Sequence, residues 1–74
     1  MEDIEVKFNW GIIGKRIIKT QIIKIKTCEN YKECISKAYQ LFWTNKPKGT
    51  KIIDCYIREP EDSCFQGFYL NDFI

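Results

Sequence analysis

Apolar and polar residues alternate strictly at the start of the chain. Ile4, Val6, Phe8 and Trp10 are separated by Glu5, Lys7 and Asn9. A period of two predicts a strand with one buried face. Gly11 and Gly14 bracket Ile12-Ile13 and predict a turn. A second strand follows over about residues 15–27, and the short link makes the pair a hairpin. Its alternation is imperfect. Ile17, Ile23 and Ile25 share one parity, while Ile18 and Ile22 share the other with Thr20 between them. A bulge near Thr20 would return all five to one side. Otherwise the strand is apolar on both faces and something covers the second. The second reading is preferred, because the third strand repeats the pattern.

Between Asn30 and Trp43 the period changes. Tyr31, Cys34, Ile35, Ala38, Leu41 and Phe42 recur at spacings of three and four, which places them on one face of a helix. Asn30 is positioned to cap the first turn, and Glu33 stands where a capping-box carboxylate would reach back. The helix is expected to stop near Trp43 or Thr44. Pro47 disfavours helical geometry at Lys46, and Gly49 allows a turn. A third strand is expected from Lys51 to about Arg58, with Ile53, Cys55 and Ile57 on one face and Ile52 and Tyr56 on the other. Pro60, Glu61, Asp62 and Ser63 form a turn. The fourth strand, about residues 64–70, places Cys64, Phe68 and Leu70 on one face and Phe65 and Tyr69 on the other.

The predicted order is β-β-α-β-β in a single domain over residues 1–74. The fold class is α+β, with one helix on an antiparallel sheet of three or four strands in two layers. One helix covers one face only. Ile18, Ile22, Ile52, Phe65 and Tyr69, with Tyr56, are then left on an uncovered face. That is more apolar surface than a small monomer normally shows, and it predicts a homodimer or a docked partner. Size points the same way. A 74-residue chain buries only about 60% of the surface exposed on unfolding, so its stability is marginal.

Apolar residues make up 45% of the chain, which excludes a disordered protein. No apolar run is long enough to span a bilayer, and no charged-then-apolar leader is visible, so a cytoplasmic location without membrane contact is expected. Cysteines stand at 28, 34, 55 and 64. In a reducing compartment these are expected as free thiols. Cys34 falls on the helix's apolar face and Cys55 among core positions. The C-x5-C and C-x8-C spacings and the lack of histidine argue against zinc. No metal and no cofactor are expected.

Catalytic chemistry is hard to place on this chain. There is no histidine to serve as a general base. Gly11-Ile12-Ile13-Gly14-Lys15 lacks the spacing and the Ser/Thr of a phosphate loop. Glu2, Asp3 and Glu5, and Glu59, Glu61 and Asp62, are carboxylate groups in a polar terminus and a turn, where nothing raises a pKa. No catalytic residue is assigned, and the chain is read as a non-enzyme.

Binding features remain. Tyr39 and Trp43 stand four apart on the helix flank, either as a partner anchor or as a pair sealing the sheet edge. Lys15, Arg16, Lys19, Lys24 and Lys26 make the second strand basic, as a phosphate-binding surface or as charges that protect an edge strand. Tyr56, Phe65 and Tyr69 partly meet the demand of a nucleic-acid-reading sheet, without its sequence signature. Two function classes follow. One is a protein-binding inhibitor or adaptor contacting its partner through Tyr39, Trp43, Tyr56, Lys15, Arg16, Lys24 and Lys26. The other is a binder of nucleic acid or nucleotide, with Lys and Arg on phosphate and Tyr or Trp on bases.

The strand end Ile23-Lys24-Ile25-Lys26-Thr27-Cys28, followed by Asn30-Tyr31-Lys32-Glu33-Cys34-Ile35-Ser36-Lys37-Ala38, resembles small phage-type accessory proteins, in which a β-hairpin feeds a capped helix and further strands. Some of those are anti-CRISPR or other anti-defence factors. The resemblance is architectural, covers residues 15–58 and carries no functional residues. It implies inhibition of a host defence complex, a protein or ribonucleoprotein, by occluding a surface.

Overall fold

A computed structural model describes residues 3–26 and 30–73. Thr27, Cys28 and Glu29, read above as the lead into the helix, lie outside the described residues, as does Ile74. The elements are β1 (Asp3–Ile12), β2 (Ile18–Lys26), α1 (Tyr31–Phe42), β3 (Thr50–Arg58), β4 (Gln66–Phe68) and a 3-10 turn (Leu70–Asp72). The strands form one sheet in the order β2-β1-β3-β4, with every neighbouring pair antiparallel. The chain is thus α+β, one helix with a four-stranded antiparallel sheet in the order β-β-α-β-β. No helix is long and apolar enough to cross a membrane among the described residues.

The alternation in β1 does what its period requires. Ile4, Val6, Phe8 and Trp10 are buried, and the odd-numbered residues face the other way. Opposite them in β2 stand Ile25, Ile23, Gln21 and Lys19 in unbroken register, so β2 contains no bulge at Thr20. Its isoleucines really do divide between the two faces. Ile23 and Ile25 are buried, while Ile18 and Ile22 are exposed on the side away from the helix.

The bulge lies in β3 instead. Asn9 faces Asp54, but Trp10 faces Ile52, so Ile53 is the extra residue. The slip carries Ile52 to the helix side, where it packs half-buried against the core. Ile53 turns to the opposite side and is 43% exposed. There its Cδ1 lies 3.4 Å from where a Cβ on Gly11 would stand, filling the space that glycine leaves. The two-faced pattern in strand three was therefore no precedent for strand two.

α1 begins as its cap predicts: the Glu33 backbone N–H donates to Asn30 Oδ1 at 2.9 Å. The Glu33 carboxylate sits 3.4 Å from Lys37 Nζ, one turn along. After Trp43 the chain turns at Asn45, whose positive φ of 61° suits asparagine, and again at Gly49, with φ of 88°. Cys34, Ile35, Ala38 and Phe42 are the buried face of α1, packed on β2 and β1. Phe42 makes the central contact, with ring centroids 4.9 Å from Phe8 and 6.0 Å from Trp10. The helix does not reach over β4. Leu70 and Phe68 pack there against the core, and Phe73 stands edge-on to Phe68 at 5.5 Å. β4 is consequently three residues long, because the chain leaves the sheet to tuck in this tail.

The Tyr31 hydroxyl donates to the Glu59 carboxylate, tying the start of α1 to the end of β3. That bond, followed by desolvation and the charges of Glu59 and Asp62, pushes the Tyr31 hydroxyl up to about 12. A raised folded-state pKa adds stability that is complete below the unfolded value of 10.0 and is lost as pH climbs toward 12. Two outcomes are expected from denaturant unfolding. Phe42→Ala should lose about 3–5 kcal/mol. Tyr31→Phe should cost less than about 1 kcal/mol at neutral pH, since the bond is exposed. Its difference from the parent should vanish as pH rises from 10 toward 12.

Candidate binding surface

The sheet face opposite α1 is open, and its composition follows from register. Ile22, Lys7, Tyr56 and Gly67 form one row, one residue from each strand. Lys24, Glu5 and Arg58 form the row on one side of it, and Thr20, Asn9 and Asp54 the row on the other. Thr20 Oγ1 donates to Asn9 Oδ1 at 2.7 Å, and Arg58 pairs with Glu5.

At the centre is a cation–aromatic cluster. Lys7 Nζ is 4.7 Å from the Tyr56 ring centroid and 4.5 Å from that of Phe65. The Arg58 guanidinium lies 5.2 Å from Phe65. These rings already hold cations, each contact worth roughly 0.5–1 kcal/mol at such exposure. The same face carries exposed apolar side chains: Ile22 beside Lys7, Ile18 and Ile53 flanking Gly11 beyond the Thr20–Asn9–Asp54 row, and Tyr69, which is 81% exposed. Beside them an open cleft of about 580 Å³ lies between β3 and the departing tail, lined by Ile52, Ile53, Tyr56, Phe68, Tyr69 and Leu70 among others.

Of the residues expected on this surface, Ile18, Ile22, Tyr56, Phe65, Tyr69, Lys24 and Lys26 occupy strand positions or flanks consistent with the open face. Ile52 does not, because the bulge replaces it with Ile53. Tyr39 and Trp43 belong to the helix layer, on the other side of the sheet from Tyr56. They pack on each other edge-on at 6.1 Å, and Trp43 packs on Phe42 at 5.2 Å. Trp43 stays 38% exposed. Lys15 and Arg16 are exposed in the link between β1 and β2.

Lys7 and Arg58 went unassigned in the sequence reading, although the β1 alternation already placed Lys7 opposite the core. Lys46 also went unassigned, and it has a role in the core. Its Nζ donates to Gln21 Oε1 and lies 4.5 Å from the Phe42 ring and 5.1 Å from Trp10, closing the end of the aromatic core.

Cys34 and Cys55 are buried, and Cys64 is exposed. Among the described residues no group of three or more His, Cys, Asp or Glu side chains comes together as a metal site. No family model matches the chain, and neither a curated protein nor a solved structure is similar to it.

Burial, and secondarily Asp54, pushes the Cys55 thiol up to about 11. Only the thiolate reacts with an alkylating agent. Iodoacetamide at pH 8 should therefore label Cys64 within minutes in the native protein. Cys34 and Cys55 should be labelled at a comparable rate only after unfolding. Peptide mass spectrometry against time reads the order directly.

Proposed function

We propose that this chain is a non-enzymatic binding protein that docks on a partner protein through the open sheet face and acts by covering the partner's surface. The observation that carries this reading is that one sheet face bears both the Lys7–Tyr56–Phe65–Arg58 cluster and the exposed apolar side chains Ile18, Ile22, Ile53 and Tyr69. Buried apolar anchors within a polar, cation-bearing frame are the composition of a protein interface. The resemblance to phage accessory proteins directs the proposal to an inhibitor of a host defence complex, met in the host cytoplasm.

A second reading has its own support. Lys7, Lys24, Lys26 and Arg58 share a sheet with Tyr56, and Phe65 packs beside them at its edge, as a binder of single-stranded nucleic acid requires. Stacked bases would have to compete with Lys7 and Arg58 for the ring faces, which favours the protein partner.

The two readings separate in a capture experiment from host lysate, with nuclease treatment of the captured material. A protein partner should survive nuclease and be lost with Tyr69→Ala or Ile53→Ala, each anchor being worth about 2 kcal/mol, or roughly thirtyfold in affinity. Trp43→Ala should leave capture in place once stability is matched. Retention of nucleic acid alone, falling steeply as salt is raised, would overturn the protein reading in favour of the second.

A further inference from the structure

The sheet has two edges, and they are built differently. β4 is a three-residue edge that ends in a 3-10 turn. Short edges of that kind do not template pairing. β2 is a nine-residue edge without proline, glycine or bulge, and among the described residues no strand lies on its outer side. We infer that the outer edge of β2 pairs antiparallel with β2 of a second copy, about a two-fold axis at Ile22, joining two sheets into one of eight strands.

The register selects this pairing. Centred on Ile22, all nine residues of each strand find a partner. Lys24 then faces Thr20, Lys26 faces Ile18 and Lys19 faces Ile25 of the second copy, so no lysine faces a lysine. A one-residue slip either way sets Lys19 against Lys24 or Lys26 and moves every side chain to the wrong face. Centring on Lys24 sets that residue against itself. The three lysines, which would otherwise read as protection against edge pairing, are compatible with the full-length alignment. Such an interface is isologous and closes on itself at two copies, which the long free edge of an unprotected strand otherwise does not guarantee.

The helix layer supplies a second, independent observation. Cys34 Sγ lies 4.0 Å from the Lys26 carbonyl oxygen, so that side of α1 borders β2. Leu41, seven residues on and therefore on the same flank, is 52% exposed. The two-fold axis stands normal to the extended sheet, so both helices fall on one side of it. Strands spaced about 4.8 Å apart put two helices, each over its own β1 and β2, roughly 10 Å apart. That is the interaxial distance of packed helices, about 8–10 Å. Leu41 of each copy then faces the other helix, while Ile22 meets its own symmetry mate on the open face. Phe65, Tyr69 and Ile53 stay uncovered, so a dimer would present two copies of the proposed partner surface side by side.

The test is charge reversal at the pairing position. Light scattering on the full chain at about 100 µM should give the mass of two chains. Thr20→Lys sets a lysine against Lys24 twice per dimer and should weaken association about tenfold, whereas Thr20→Glu should strengthen it by a comparable factor that shrinks with added salt. Residue 20 is exposed, and circular dichroism is the check that both variants keep the parent's fold. In parallel, Ile22→Cys should form an intermolecular disulfide on mild oxidation, because it meets itself, and Lys24→Cys should not exceed the parent's own background. A monomeric parent at that concentration overturns the inference, and so does a dimer indifferent to both charges at residue 20. A dimer lost with Tyr69→Ala but not with Thr20→Lys would overturn it too, by moving the interface to the open face.

Discussion

One helix has to cover four strands, and it cannot. A helix with its side chains is about 10–12 Å across, while four strands at about 4.8 Å spacing are close to twice as wide. α1 settles over β2 and β1, where Phe42 inserts between Phe8 and Trp10. Most of what distinguishes this molecule follows from that mismatch. Under β3 and β4 the cover is made by the chain's own tail, with Leu70 turned in and Phe73 against Phe68. Making the tail turn shortens β4 to three residues and opens the cleft beside β3.

The same shortage explains the surface. With its only helix committed to one side, the sheet leaves its other side open, and the side chains there have only one another. Lys7 and Arg58 over Tyr56 and Phe65 partly desolvate the rings and hold the cations in fixed places. Such a cluster preorganises a surface, because side-chain freedom is lost before any partner arrives. Ile18, Ile22, Ile53 and Tyr69 on that face keep much of their area exposed in one copy. Their exposure is the ground for both proposed contacts, a partner on the face and a second copy along β2.

The core is small, and its edges are closed by residues that composition would place at the surface. Lys46 lies over Phe42 and Trp10 and is held by Gln21; its aliphatic stem and charge together complete the wall at the end of α1. Trp43 also packs on the aromatic core, edge-on against Phe42 and Tyr39. In a domain of this size the core lies close to the surface everywhere, so its edges are closed by amphipathic side chains whose polar ends reach solvent.

The sequence by itself determined the elements and their order. Alternation in β1, the three-four spacing of α1, the Asn30 cap and the glycine and proline breaks are local signals, and each acts within a few residues of where it is read. The division of β2's isoleucines between two faces was legible too, and with it most of the open face. What tertiary structure alone decided is what depends on partners distant in the chain. The bulge at Ile53 exists because β3 must match β1 on both sides of Asn9 and Trp10, and no pattern within β3 marks it. It exchanged Ile52 for Ile53 on the surface. The early end of β4 depends on where α1 stops covering the sheet, and the separation of Tyr39 and Trp43 from Tyr56 depends on which side of the sheet α1 takes. Lys7 and Lys46 have the same charge in the sequence. Only packing against distant residues, Tyr56 and Phe65 for Lys7 and Gln21 and Trp10 for Lys46, distinguishes the one that frames a surface from the one that closes a core.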